Sequence, residues 1–182
     1  IVTTNGEVQF QNVDEASVTG LELEVRKRLD QVHPILSNFQ LSGNLSIVRS
    51  QVDIAPQEFS IMQAFDSTAT ATRKLQGQSP YVLNLDAIYH NQRWGTLVSL
   101  HYNIFGRRLS EVSLGGTPDV FEKPFGVLDL TGSQRLRRGL TLRFSVKNLL
   151  DPDIIKFHPF NGEEYVRSRF RRGRTVSLGI NY

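Results

Sequence analysis

An apolar residue at every second position, sustained for about ten residues at a time, constrains this chain more than any other feature. The last such stretch ends the chain. Val176, Leu178, Ile180 and Tyr182 share one face of an extended strand there, and Thr175, Ser177, Gly179 and Asn181 share the other. The pattern first runs clean from Val18 to Leu29, where Leu21, Leu23, Val25 and Leu29 oppose Glu22, Glu24, Arg26 and Arg28. A helix would scatter Leu21, Leu23 and Val25 around its circumference, so this stretch reads as strand. It returns with Phe39, Leu41, Leu45 and Ile47 against Gln40, Ser42, Asn44 and Ser46, and again from Tyr81 to Tyr89, where Asn84 and Asp86 take the polar face. Three further stretches follow: Thr96 to Ile104, with His101 and Asn103 on the polar face; Val127 to Thr131; and Leu140 to Lys147, with Arg143 among the polar residues. Soluble strands average about five or six residues, and several of these are longer.

The connections differ as sharply as the faces do. They are short near residues 30, 92 and 138 and long near 65, 115 and 160. The long ones show no sustained period, and no helical period of useful length is visible in them. Residues 1–13 hold the turn pair Asn5-Gly6 and an alternation at Val8 and Phe10, which reads as a loop or hairpin. The fold class expected is all-β: an antiparallel up-and-down barrel, of which about seven strands are present, with short turns at one end and long loops at the other.

Such strands can turn their apolar faces inward, as a soluble barrel, or outward to lipid. Inside a small soluble barrel charges are costly unless paired, but the reverse arrangement, with the apolar residues inside, is physically sound. Loop lengths sorted by end match membrane barrels, which have short periplasmic turns and long outer loops. No run of about 18 apolar residues exists to make a membrane helix. The mean hydropathy of -0.27 is compatible with strands that are only half apolar. With lipid outside, Glu22, Glu24, Arg26, Arg28, Asp86, His101, Asp129 and Arg143 line the lumen. Phe39, Tyr89, Trp94 and Tyr182 mark the lower rim, and Tyr81, Tyr102, Phe125 and Phe170 the upper. Strand parity carries Arg172 and Arg174 to the lipid side, unless they snorkel to headgroups or a bulge at Gly173 swaps the faces.

Little chemistry is written into the chain. Cysteine is absent, and no nucleophile elbow or phosphate-binding glycine loop occurs. His33, His90, His101 and His158 are scattered, so neither a metal site nor a cofactor is expected, and nothing points to an enzyme. The net charge of +3 is too small for a dedicated nucleic-acid binder. The cluster Arg167, Arg169, Arg171, Arg172 and Arg174 fits lumen lining or lipopolysaccharide phosphates better. Candidate ligand contacts in the long loops are Phe59, Met62, Phe65, Arg107 and Arg108.

Several stretches resemble the C-terminal part of TonB-dependent outer-membrane receptors. They are Ala16 to Glu24 (ASVTGLELE), Leu41 to Ser46 (LSGNLS), Gly77 to Asn84 (GQSPYVLN), Leu128-Asp129-Leu130, Val146 to Asp151 (VKNLLD), and Gly173-Arg174-Thr175 before Tyr182. The resemblance implies a bacterial outer-membrane location and a plugged barrel of twenty-two strands, of which residues 1–182 would be the C-terminal segment. It implies uptake of a scarce small ligand, such as a ferric siderophore, driven by the TonB system through a plug region outside this sequence. It also gives Val176, Leu178, Ile180 and Tyr182 the role of a signal read by the barrel-assembly machinery. A non-transporting structural or adhesin barrel and a soluble ligand-binding β-barrel are the competing expectations.

Overall fold

Each alternating stretch is a strand, and each strand lies antiparallel to the next. The computed structural model of the protein describes residues 15–113 and 116–182; the expected features at Asn5-Gly6, Val8 and Phe10 lie outside them. In chain order the elements are β1 (Ala16–Arg28), β2 (Phe39–Asp53), α1 (Pro56–Phe65), β3 (Thr72–Arg73), β4 (Tyr81–Asn91), β5 (Thr96–Phe105) and β6 (Arg108–Glu111). They continue with β7 (Val120–Glu122), β8 (Gly126–Arg135), β9 (Thr141–Lys147), β10 (Ile154–Phe160), β11 (Glu163–Phe170) and β12 (Thr175–Asn181). The main sheet has the order β1-β2-β4-β5-β8-β9-β12, with the short β3 added beside the top of β2. It is an up-and-down arc of barrel wall, open between β1 and β12.

Register makes the two faces continuous. One row runs Leu23, Leu45, Leu83, Ile104; the next runs Val25, Gly43, Leu85, Tyr102, Leu128. Below them, Leu41, Ala87, Leu100, Leu130, Val146 and Val176 cross six strands in one line. A one-residue slip anywhere would exchange the faces of every strand beyond it, so the alternation itself specifies the pairing. The lower edge of this apolar belt closes on Phe39 and Tyr89, paired across β2 and β4 with ring centroids 4.9 Å apart. Two glycines let aromatic rings lie flat on the wall. A Cβ at Gly132 would run into the ring of Phe144 on β9, and one at Gly126 into the ring of Tyr102 on β5.

The short turns are tight and mutually fastened. Between β1 and β2 the chain makes two single 3-10 turns, the second started by Pro34 with His33 Nδ1 accepting from the Ile35 amide at 3.2 Å. His90 N donates to Asn38 O at 2.8 Å, Gln134 Nε2 to Trp94 O at 2.7 Å, and Arg135 N to Gly95 O at 2.9 Å. The three turns therefore form one rim.

The long connections depart from expectation. Residues 56–65 are helical, although no helical period was visible: the turn is started by Pro56, and Phe59, Ile61, Met62 and Phe65 do not gather into one wide stripe. The other two long loops hold hairpins, β6–β7 and β10–β11, that join as a second sheet in the order β11-β10-β7-β6. β6 and β7 are too short for a period to register, and in β10 and β11 locally paired charges such as Lys156, Glu164 and Arg167 interrupt it. Phe125, expected at an aromatic rim, is instead buried against Phe105 and Ile154, with the Phe105–Phe125 rings edge-to-face at 4.7 Å. Phe170 belongs to β11 and pairs with Ile154. Arg174 precedes β12: Gly173 adopts φ +77°, and Arg174 Nε donates to Leu149 O at 2.7 Å. The strand parity that would send Arg174 to the lipid side does not reach it.

The wall predicts its own weak point. Gly132→Val should force Phe144 off its site and destabilise the full-length barrel by roughly 1–3 kcal/mol. Urea unfolding in lipid would show this, and adding Phe144→Ala should recover part of the loss.

Candidate functional site

The polar face of the wall is a set of hydrogen-bonded rows. Asn103 Nδ2 donates to Asn84 Oδ1 at 2.7 Å, and Asn84 Nδ2 to Asn44 Oδ1 at 3.3 Å. One level down, Arg26, Ser42, Asp86, His101 and Asp129 occupy consecutive strands. Ser42 Oγ donates to Asp86 Oδ2 at 3.3 Å, and His101 Nδ1 lies 2.5 Å from Asp86 Oδ1. Asp129 Oδ1 accepts from the Asn148 amide at 2.8 Å, capping the end of β9. Glu22, Glu24 and Arg28 on β1 and Arg143 on β9 share this face, so all eight polar residues singled out by alternation stand on one side of the sheet.

Toward the long-loop end the same face turns apolar. Val82 and Phe105 pair in its top row, Val127 lies one row below opposite Asn103, and on them rest Phe125 and Ile154 from the loop layer. This seat holds the second sheet against the wall. Within that sheet Leu109, Val120 and Phe157 are almost wholly buried. Charge is used structurally around it. Arg108 faces the buried Glu122 across β6 and β7, with Nε–Oε2 at 2.7 Å, and its guanidinium lies 4.1 Å from the Phe105 ring centroid. Arg107 sits over both Phe121 and Phe157, at 4.4 and 4.6 Å, and pairs with Glu164. Glu111 binds Lys156 and Arg167, each at 3.0 Å.

A cavity of about 510 Å³ opens where the α1 loop meets this sheet. Its cationic lining is Arg49, Arg73 and Lys74; Met62, Phe121 and Phe160 supply apolar wall, and Thr68, Thr70 and Thr72 supply hydroxyls. Arg73 is the keystone. It pairs with Glu58 of α1, contacts Asp119 at 3.8 Å, and reaches Met62 Sδ at 3.7 Å, so it ties helix to second sheet. Burial pushes the Asp119 carboxyl above the usual range, with Arg73 opposing that push. Arg49 and Lys74 make no ion pair among the described residues. Beside the cavity, Phe65, Phe160, Tyr165, His158 and Pro118 form a shallower apolar groove.

The candidate ligand contacts divide accordingly. Met62 lines the cavity and Phe65 the groove; Phe59 lines neither, although it lies on the same helix. Arg107 and Arg108 are occupied inside the loop sheet. Arg49, Arg73, Lys74, Asp119 and Phe160 carried no local signal, because only tertiary contact brings them together. The arginine cluster is largely spent on internal pairs: Arg169 and Arg171 both hold Asp153, and Arg167 holds Glu111. On β12, Val176, Leu178 and Ile180 stand on the apolar face, strongly exposed at the open edge of the arc.

The family model described as TonB dependent receptor-like, beta-barrel matches residues 1–149. The chain belongs to that family. Its structure is similar to the crystal structure of the ferric citrate transporter FecA in the unliganded form, with a TM-score of 0.60 at 15% identity. The match covers 91% of this chain and 23% of the transporter's, so the chain spans about a quarter of that relative. No match is found among curated proteins. In a TonB-dependent receptor barrel the rim of short turns is periplasmic, and the α1 loop and second sheet are extracellular.

Two outcomes follow for the extracellular layer. Arg73→Met leaves Glu58 and Asp119 without their cation, so amide exchange should speed up across 56–73 and 116–121 while the wall strands keep their protection. The Arg169 and Arg171 guanidiniums hold the Asp153 carboxyl down to about 2. Its folded value lies below its unfolded one, so this clamp is complete above about pH 4 and is lost as pH falls through about 2. A carboxyl titration by NMR should place Asp153 apart from ordinary aspartates, and Arg169→Gln with Arg171→Gln should return it to them.

Proposed function

We propose that this chain is part of the wall and extracellular cap of a TonB-dependent outer-membrane receptor that takes up a scarce small ligand. The observation that carries this reading is the folded loop layer. A wall with a polar face needs no such layer to stand in a membrane, whereas a receptor needs ordered groups above its lumen to select a ligand. The cavity under α1 offers Arg49 and Lys74, which have no ion-pair partner among the described residues, to meet anionic oxygens, with Phe160 and Met62 beside them. Ferric chelates carrying carboxylates suit that lining, and the likeness to a ferric citrate transporter supports the same class. The polar residues of the wall would then line the lumen, and TonB would act through a plug elsewhere in the protein. Lipopolysaccharide would surround the outer rim, and the β12 apolar face would serve the barrel-assembly machinery.

Uptake in cells tests this. With the full-length gene as sole receptor, a radiolabelled ferric carboxylate chelate should accumulate only when TonB and the proton-motive force are present. Accumulation that ignores removal of TonB would leave a non-transporting barrel as the better account. Arg49→Gln with Lys74→Gln should raise the half-saturating concentration roughly tenfold, from the loss of charge-assisted hydrogen bonds.

A further inference from the structure

The two ends of the wall treat their cations in opposite ways. At the extracellular end most are neutralised in place: Arg73, Arg107, Arg108, Lys123, Lys156, Arg167, Arg169 and Arg171 each have a carboxylate partner. At the short-turn rim stand Lys27, Arg28, Arg93, Arg135, Arg137 and Arg138, and across 27–39, 90–96 and 134–141 the only acid is Asp30. Asp30 pairs with Arg28 at 3.2 Å, so Lys27, Arg93, Arg135, Arg137 and Arg138 have no ion-pair partner among the described residues. The rim is one surface, because backbone and side-chain hydrogen bonds join all three turns. Large apolar side chains are interleaved with these charges: Val32, Ile35, Trp94 and Leu136 are 63%, 78%, 67% and 43% exposed.

Unpaired cations alone would suit any polyanion. Cations alternating with exposed apolar side chains, at the foot of an apolar belt, suit one that brings acyl chains with its charge. We propose that the short-turn rim is a docking surface for anionic phospholipid headgroups of the periplasmic leaflet. Phosphates would meet Arg93, Arg137 and Arg138, while Trp94 and Leu136 sit at the headgroup level and the acyl chains run up the belt. The rim would therefore select phosphatidylglycerol or cardiolipin over zwitterionic lipid and fix the height of the barrel in the bilayer. The inference rests on the receptor reading for the direction in which the rim faces.

The test uses the full-length receptor, extracted and examined by native mass spectrometry with equimolar phosphatidylglycerol and phosphatidylethanolamine. The wild type should retain phosphatidylglycerol preferentially. Arg93→Gln, Arg137→Gln and Arg138→Asn together should erase most of that preference, at roughly fivefold per charge removed. Asparagine is chosen at 138 because Arg138 has φ 60°, a conformation that asparagine tolerates. Arg172→Gln, at the other end, should change nothing. Equal retention of both lipids by the wild type, or an unchanged preference in the triple variant, overturns the inference. So does salt-sensitive binding of soluble polyglutamate to the wild-type rim without any lipid preference, which would assign the surface to an acidic protein. A Gln92→Cys variant, at an exposed position of the same turn, separates this from failure of the receptor reading. Labelling on intact cells by an impermeant thiol reagent would refute the periplasmic orientation itself, whereas no labelling with no lipid preference refutes the lipid surface alone.

Discussion

Backbone amides in a bilayer core have no water to turn to, so each must be satisfied by a neighbouring strand. Everything in the wall follows from that. The strands are long because they must cross; β2 extends from Phe39 to Asp53 and stands beyond the belt into the loop layer. They pair in sequence order because the ladder must be continuous. Alternation is then forced, since a fully paired strand can present only one face to lipid and one to the interior. β1 and β12, each without a second neighbour among the described residues, show what the constraint demands: further strand edges to meet them.

The loop layer obeys another rule. It stands in water, so it can be stabilised by burial, and Leu109, Val120 and Phe157 are its most deeply buried side chains. Its attachment to the wall uses apolar residues that look misplaced in a polar face, namely Val82, Phe105 and Val127. These residues break the polar alternation where a second layer covers the interior. The partly buried Arg108–Glu122 and Arg73–Glu58–Asp119 groups then fix how the hairpins and α1 sit, since removing one partner would leave a half-buried charge unpaired.

This division explains what could be read from residues alone. The wall was legible, down to the side on which Asp86, His101 and Arg143 stand, because a two-residue period reports directly on a two-faced strand. The end assignment of the connections was legible for the same reason, as length needs no contact map. The layer above was not. α1 carries no clear apolar stripe, and β7 is three residues long, too short for a period to register. Arg49, Lys74 and Asp119 are far apart in sequence, and nothing local distinguishes them from other polar loop residues. Phe125 misled for a related reason: an aromatic at a strand end reads as a rim residue until something is found to cover it.

The two layers also divide the consequences of change. A substitution in the wall acts through the ladder and the belt, and therefore on the whole barrel. One in the layer is set apart from the ladder, and meets the wall at the seat of Val82, Phe105 and Val127 and where β3 and Leu75 join β2. The cavity lies at the join between α1 and the second sheet, where Arg73 pairs with Glu58 and contacts Asp119. Residues lining it can vary without disturbing strand register, provided Arg73 keeps its two carboxylates. A fold so arranged can alter what it meets outside while the part that must survive in lipid stays as it is.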